Sequence, residues 1–318
     1  DLALESRELY QQEKGAEAPG VEVNTEKIGE ININRVKITS PTGAEAIGKP
    51  MGNYITIESS RLKENDQDLN EEVSKIIAKE LQGIINLDEK ANVMVVGLGN
   101  WNVTPDSLGP KVVSSLMVTR HLLEYVPDQI DDGVRPVCAI APGVLGLTGI
   151  ETVEIIKGVV DKVKPALIIA IDALASRKMD RVNTTVQIAD TGINPGSGVG
   201  NKRMALTDTT LGIPVVAIGV PTVVDAVTIA NDTIDLMIDV MKKEATPGSS
   251  FYDMLNNMNK DEKLMLINEI LSPYVGNLVV TPKEIDAVVE SMSKILANGI
   301  NIALHKGIGF KDINRYVH

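Results

Sequence analysis

Between Leu69 and Ile85 the apolar residues return every three or four positions. Leu69, Val73, Ile76, Ile77, Leu81, Ile84 and Ile85 share one helical face, with Glu and Lys opposite, which predicts an amphipathic helix. The period then changes. Asn92-Val-Met-Val-Val-Gly97 is a short unbroken apolar run ended by glycine, the pattern of a strand covered on both faces. The same alternation continues downstream, with strands expected at 134–141, 166–172, 184–189 and 214–220. Helices are expected at 107–125, 149–163 and 225–243. A short helix is expected at 252–258, and a late helix that carries Ile285, Val288, Val289, Met292, Ile295 and Leu296 and ends at Asn298-Gly299.

The first 60 residues read differently. Residues 1–30 are polar with little period, beyond a short helix over 1–12. Residues 31–39 alternate apolar and polar, as does 54–58, and Pro41, Gly43, Gly48, Pro50 and Gly52 punctuate a loop between them. Together these patterns predict an α/β fold: a twisted, mostly parallel central sheet flanked by helices, with a small antiparallel β addition at 31–58. Residues 1–318 are expected to form one domain, with 244–318 a helical portion packed on it.

Composition narrows the picture. Hydrophobic residues make up 43% and aromatic residues only 3%, so the core is aliphatic. The net charge of −12 and the lack of a dense Lys/Arg cluster argue against direct nucleic-acid binding. No apolar run approaches membrane-spanning length. The single cysteine, Cys138, excludes an intrachain disulfide, fits a reducing compartment and reads as a buried thiol.

In an open α/β sheet, ligands bind outside the carboxyl ends of the strands. That rule selects the loops 97–109, 141–143, 171–177 and 218–222. Asp106 in the first loop reads either as a helix-capping acid or as a functional carboxylate. Asp172 ends an apolar strand, where an acid is costly unless solvated, paired or functional; its alternative is to cap the following turn. If their strands are central and parallel, both acids share one rim of the sheet. Two close carboxylates hold one proton between them and can activate a water and protonate a leaving amine.

Competing motifs are weaker. Asp190-Thr-Gly matches the pepsin-like tripeptide, but that chemistry needs two such loops on an all-β fold, which leaves Asp190 a supporting residue. Gly196-Ser-Gly-Val-Gly-Asn-Lys202 could form an anion nest through Gly196, Gly198 and Gly200. It lacks the Gly-Lys-Ser/Thr ending of a phosphate loop and reads better as a turn or lid. Gly97-x-Gly99 has Asn102 where a dinucleotide fingerprint needs its third glycine. The three histidines form no zinc motif and flank no nucleophile. No metal or cofactor is expected.

Three long segments carry a resemblance. Val96-Gly-Leu-Gly-Asn-Trp-Asn-Val-Thr-Pro-Asp-Ser-Leu-Gly-Pro110, Ile171-Asp-Ala-Leu-Ala-Ser-Arg177 and Ile188-Ala-Asp-Thr-Gly-Ile-Asn-Pro-Gly-Ser-Gly-Val-Gly-Asn201 resemble the hallmark motifs of the bacterial spore germination proteases. The resemblance implies an endopeptidase of the spore core, in the cytoplasm. It would be made as a self-processing zymogen, assembled as a homotetramer, and directed at small acid-soluble spore proteins beside an acidic and an apolar residue. The first loop is also distantly similar to that of the hydrogenase maturation endopeptidases, whose metal-site acids map onto Asp106 and Asp172. Their histidine has no counterpart here. Asp106 and Asp172 are therefore expected to be catalytic, with Asn100, Gly143, Asp190, Gly196, Gly198 and Gly200 supporting them or binding substrate. The alternatives are a metal-dependent endopeptidase on the same acids and a nucleotide- or phosphate-binding module.

Overall fold

The computed structural model describes residues 2–196, 204–257, 265, 267, 269–270 and 278–310. Its strands are β1 (Val21–Ile28), β2 (Ile31–Ile38), β3 (Gly52–Glu58), β4 (Val93–Gly97), β5 (Val137–Ile140), β6 (Leu167–Ser176), β7 (Thr185–Ala189), β8 (Val215–Asp225) and β9 (Val279–Val280). They form one sheet in the order β1-β2-β3-β7-β8-β6-β4-β5, with β9 paired to β8. The pairs β5–β4, β4–β6 and β6–β8 are parallel, while β7 and the N-terminal strands run antiparallel. The α/β class is therefore as expected.

The parallel strands form where the apolar runs predict them. Every residue of β4 is buried, and so is every residue of β8 except Asp225. A strand covered on both faces needs no polar alternation. On one face Val93, Val95, Ile169, Ile171, Val216 and Ile218 pack against the helices Gln67–Ile84 and Ile285–Leu304. On the other, Met94, Val96, Ile168, Ala170 and Val215 pack against the helix Thr152–Val163. Each Ile, Leu or Val fully buried this way contributes about 1.5–3 kcal/mol relative to exposure.

Several elements differ from expectation. The antiparallel arm is larger than a hairpin over 31–58, because β1 joins its outer edge and β7 joins it to the core. β1 escapes the period-2 reading because it is an edge strand in which only Val21 is fully buried. The loop after β2 contains a helix, Pro41–Ile47, capped by the Ser40 hydroxyl and started by Pro41. The helix expected at 107–125 is two helices, Leu108–Ser114 and Arg120–Tyr125. Between them the chain turns to serve β5: Thr119 N–H donates to Val137 O, and the Thr119 hydroxyl accepts from Val137 N–H. The helix expected from 149 begins at Thr152, since Gly149 closes the short preceding turn at φ +70°. Asn298-Gly299 does not end the last helix, which continues to Leu304. Gly299 sits at the crossing with the Gln67–Ile84 helix, where a Cβ would lie 2.7 Å from Ile77 Cγ2. The residue that looks like a stop is a close-packing contact.

That last helix delivers His305 to a buried polar knot under β5. His305 Nδ1 accepts from Arg135 N–H at 3.1 Å, and the Arg135 guanidinium donates to the carbonyls of Leu304, Asp88 and Ala91. Burial holds the imidazole neutral, with its pKa pushed down to about 4. The unfolded chain binds this proton at higher pH than the folded one, so the fold is fully favoured above pH ~6.5 and loses stability as pH falls toward 4. The loss from this group amounts to roughly 3 kcal/mol. Thermal melts from pH 7 to pH 4 should show Tm falling more steeply for the wild type than for a folded His305→Gln variant. Parallel slopes would contradict this role.

Candidate active site

The site is built at the carboxyl ends of the parallel strands, from two segments that the sheet brings side by side. β4 and β6 are direct neighbours, with Gly97 opposite Ile171, and Leu98 N–H donates to Ile171 O at 2.8 Å. The loop leaving β4 therefore starts against the residue that precedes Asp172.

Asp172 lies inside β6, not at its end. The strand runs on to Ser176, with Asp172 paired to Gly219 of β8. This removes the turn-capping reading, because no turn follows. The carboxyl is buried, and Oδ1 accepts the Ala173 N–H at 3.0 Å. Burial and then the nearby charge of Asp106 push its pKa up to about 8. At neutral pH this group is an acid carrying its proton.

Asp106 ends the tight turn Thr104–Asp106 ahead of the helix Leu108–Ser114. Its carboxylate does not cap that helix. Oδ2 instead accepts the Asn100 N–H at 2.8 Å, and the Asp106 carbonyl shares that donor at 3.1 Å. Burial raises its pKa, and the Asn100 amide opposes the shift.

Glycines make this arrangement possible. Gly99 has φ +111°, and a Cβ there would lie 2.0 Å from the Asp106 carbonyl oxygen. A Cβ on Gly97 would lie 2.2 Å from Gly109 O, so the helix backbone rests directly on the strand end. The Gly-x-Gly spacing is thus used to bring Asp106 close to β6.

The expected supporting residues divide. Asn100 touches Asp106 through its backbone, while its side chain accepts from Asn102 N–H. Gly143, at φ +75°, lies in the loop after β5 on the same rim, and its carbonyl accepts from the Thr152 hydroxyl. Asp190 braces the antiparallel arm: its two oxygens accept the Asn53 N–H and side-chain amide at 2.8 and 2.6 Å. Gly196 occupies a turn at φ +70°, whereas Gly198 and Gly200 lie outside the described residues.

The sequence predicts a short helix over 1–12, but neither the contacts that hold it nor the cavity beside them. A cavity of about 110 Å³ opens beside Asp172 on the same sheet face, lined in part by Lys49, Tyr54, Leu174, Gln187, Thr191 and Gly219. The N-terminal helix Ala3–Lys14 is clamped next to it. Ala3 N–H donates to Gln187 Oε1 at 2.6 Å, Glu5 accepts from Arg177 N–H, and Glu8 pairs with Lys178 and Arg181. Lys49 sits among loop-forming residues and Gln187 in the middle of a strand, so neither carries a local motif. Among the described residues, no group of three or more His, Cys, Asp and Glu is arranged to hold a metal ion.

The family model for germination proteases matches residues 1–250 and 244–317. A germination protease of Clostridium tetani is 53% identical over 318 residues, covering 100% of this chain and 98% of its own. The Caldanaerobacter subterraneus subsp. tengcongensis germination protease is 56% identical, covering 100% of this chain and 97% of its own. That of Bacillus subtilis is 45% identical, covering 100% and 96%. A solved [NiFe] hydrogenase maturation protease, HycI from Thermococcus kodakarensis KOD1, is 19% identical with a TM-score of 0.26, covering 57% of this chain and 94% of that one. That overlap is too slight to bear on the chemistry.

The tight contact at Gly99 gives a direct test of how Asp106 is placed. Gly99→Ala should leave the protein folded by circular dichroism but lower kcat by roughly 100-fold, the effect of misplacing a catalytic group by about 1 Å. Wild-type kcat in the folded variant would show that the close approach is not needed.

Proposed function

The chain belongs to the germination protease family and is an endopeptidase, and from that premise we propose that Asp106 and Asp172 together activate the water that cleaves the peptide bond. The observation that carries this reading is Asp172: a carboxyl buried in a strand interior, where burial and then the charge of Asp106 push its pKa up to about 8. An acid kept neutral in this way is suited to donating a proton.

The steps follow from the two environments. Asp106, as carboxylate, takes a proton from a water, and the oxygen of that water bonds to the scissile carbonyl carbon. Asp172 gives its proton to the carbonyl oxygen, forming a neutral gem-diol. One diol hydroxyl then returns its proton to Asp172, Asp106 passes its proton to the amide nitrogen, and the carbon–nitrogen bond breaks. The amine and the acid leave, and the pair again holds one proton.

The substrates on this reading are small acid-soluble spore proteins, and the enzyme is made as a zymogen that cleaves its own N-terminal segment within the spore-core cytoplasm. It works as a homotetramer without direct nucleic-acid contact, as one domain over 1–318. The helix Ala226–Glu244 supports assembly: none of its residues is fully buried, and Leu236, Met237, Val240 and Met241 face out. Among the described residues no helix is long and apolar enough to cross a membrane. The phosphate-binding alternative gains nothing from Gly97 and Gly99, whose close approaches are made to the protein's own backbone. Gly143 and Gly196 remain candidates for contacting an extended substrate.

Asp106→Asn and Asp172→Asn, each assayed on a purified small acid-soluble spore protein, should lose roughly 10²–10⁴-fold in kcat while staying folded. Full cleavage by either variant would remove the aspartate pair. Prolonged chelation of the wild type should leave kcat unchanged. Loss of activity that added metal restores would favour the metal-dependent mechanism on the same acids.

A further inference from the structure

The hydrogen bonds that shape the Asp106 loop come from the loop itself. The Asn100 N–H serves the Asp106 carboxylate and carbonyl, Asp106 N–H donates to Val103 O at 2.8 Å, and the Ser107 hydroxyl and N–H both donate to Thr104 O. Such bonds fix the shape of a loop but not its place over the sheet. That place depends on contacts outside it. On the β4 side, Leu98 N–H donates to Ile171 O and the Gly109 backbone rests on Gly97. On the other side the contact is to the last helix, Ile285–Leu304, where the Thr104 hydroxyl donates to Asp286 Oδ1 at 3.0 Å. One turn further along that helix, Glu290 Oε2 accepts from Lys111 Nζ at 3.1 Å.

Asp286 and Glu290 stand at i and i+4 and so share a helix face. Their partners, Thr104 and Lys111, bracket Asp106 in the chain. The helix that carries the two acids is firmly seated. Its residues Val288, Val289, Met292, Ile295 and Leu296 are buried, and Gly299 closes on Ile77. The Asn301 side chain accepts from Met117 N–H at 3.0 Å, and the Ser74 hydroxyl donates to Ile295 O at 3.1 Å. Of the two contacts, Lys111–Glu290 is a partly exposed ion pair whose acid also serves Lys294, a class that holds geometry weakly. Thr104–Asp286 acts on the very turn that ends in Asp106, and a hydroxyl bonded to a carboxylate is the stronger, more directional kind of hydrogen bond.

We infer that Asp286, through the Thr104 hydroxyl, is a positioning residue for the reaction: it holds the Thr104–Asp106 turn in the place that sets the approach of the Asp106 carboxylate to Asp172. Asp286 touches neither the substrate nor the reacting atoms. The role rests on the aspartate-pair reading, which is what makes the spacing of those two carboxyls matter. It gives the last helix a part in the chemistry from 182 positions away in the chain, the separation of Thr104 and Asp286.

Steady-state kinetics on the substrate used for the aspartate variants, with each protein checked for folding by circular dichroism, test it. Asp286→Ala and Thr104→Val should each lower kcat by roughly 10-fold and leave KM unchanged, the low end for a hydrogen bond to a charged group because this one is solvent-exposed. Asp286→Asn keeps an acceptor and Thr104→Ser keeps a hydroxyl, so both should retain most of the wild-type kcat. The double variant Asp286→Ala/Thr104→Val should be no slower than either single one, since both remove the same contact. Wild-type kcat in folded Asp286→Ala or Thr104→Val would overturn the inference, as would a change in KM alone. Losses that multiply in the double variant, or an Asp286→Asn as slow as Asp286→Ala, would overturn it too. If Asp106→Asn is itself fully active, the aspartate-pair reading falls; an inactive Asp106→Asn beside wild-type kcat in Asp286→Ala would sink the positioning role alone.

Discussion

One carboxyl group sets the terms for the rest of the site. Asp172 sits where the core of an α/β sheet expects an aliphatic residue, flanked by Ile171 and Ala173 in a strand buried along most of its length. Ionising it there is opposed by lost hydration and by the charge of Asp106. The group therefore keeps its proton near neutrality, and the folded state binds that proton more tightly than the unfolded chain. By linkage, this carboxyl costs the fold stability as pH rises from the ordinary Asp range toward 8. A stability penalty at a position that positions an acid is the usual mark of a functional site.

The surrounding backbone keeps the second acid close. Gly97, Gly99 and Gly109 let the β4 loop and the following helix pack against the sheet without intervening side chains, and the Asn100 amide holds the Asp106 carboxylate in place. On the far side of Asp172, the stretch Arg177–Arg181 is tied to the N-terminal helix by Glu5 and Glu8 and to β3 by the Arg181–Glu58 pair. These ties lie at the junction of the parallel core and the antiparallel arm, where the cavity also opens. The core carries the two carboxyls, and the arm carries much of the cavity wall.

What was legible in the sequence follows from what each pattern measures. The unbroken apolar runs at 93–97, 167–171 and 215–220 report burial on two faces and located the parallel strands. The rim rule then brought Asp106 and Asp172 together from residues 66 positions apart (172 − 106). Patterns that depend on a neighbour were less readable. β1 is an edge strand and shows little period, and the 107–125 helix breaks because Thr119 is used by β5. Gly299 resembles a helix stop yet serves a helix crossing. The cavity left no local signal, because its wall is assembled from β3, β7, β8 and β6 by pairings between residues far apart in the chain.

The account turns on the protonation state of Asp172 in the folded enzyme. Isotope-edited infrared spectroscopy, comparing wild type labelled at Asp carboxyls with Asp172→Asn, reads that state directly. The account predicts a protonated Asp172 carbonyl band at pH 7, lost on titration with a midpoint near pH 8, and a lower midpoint once Asp106→Asn removes the neighbouring charge. A carboxylate band at pH 7 with a midpoint below about 5, in the ordinary Asp range, would contradict it.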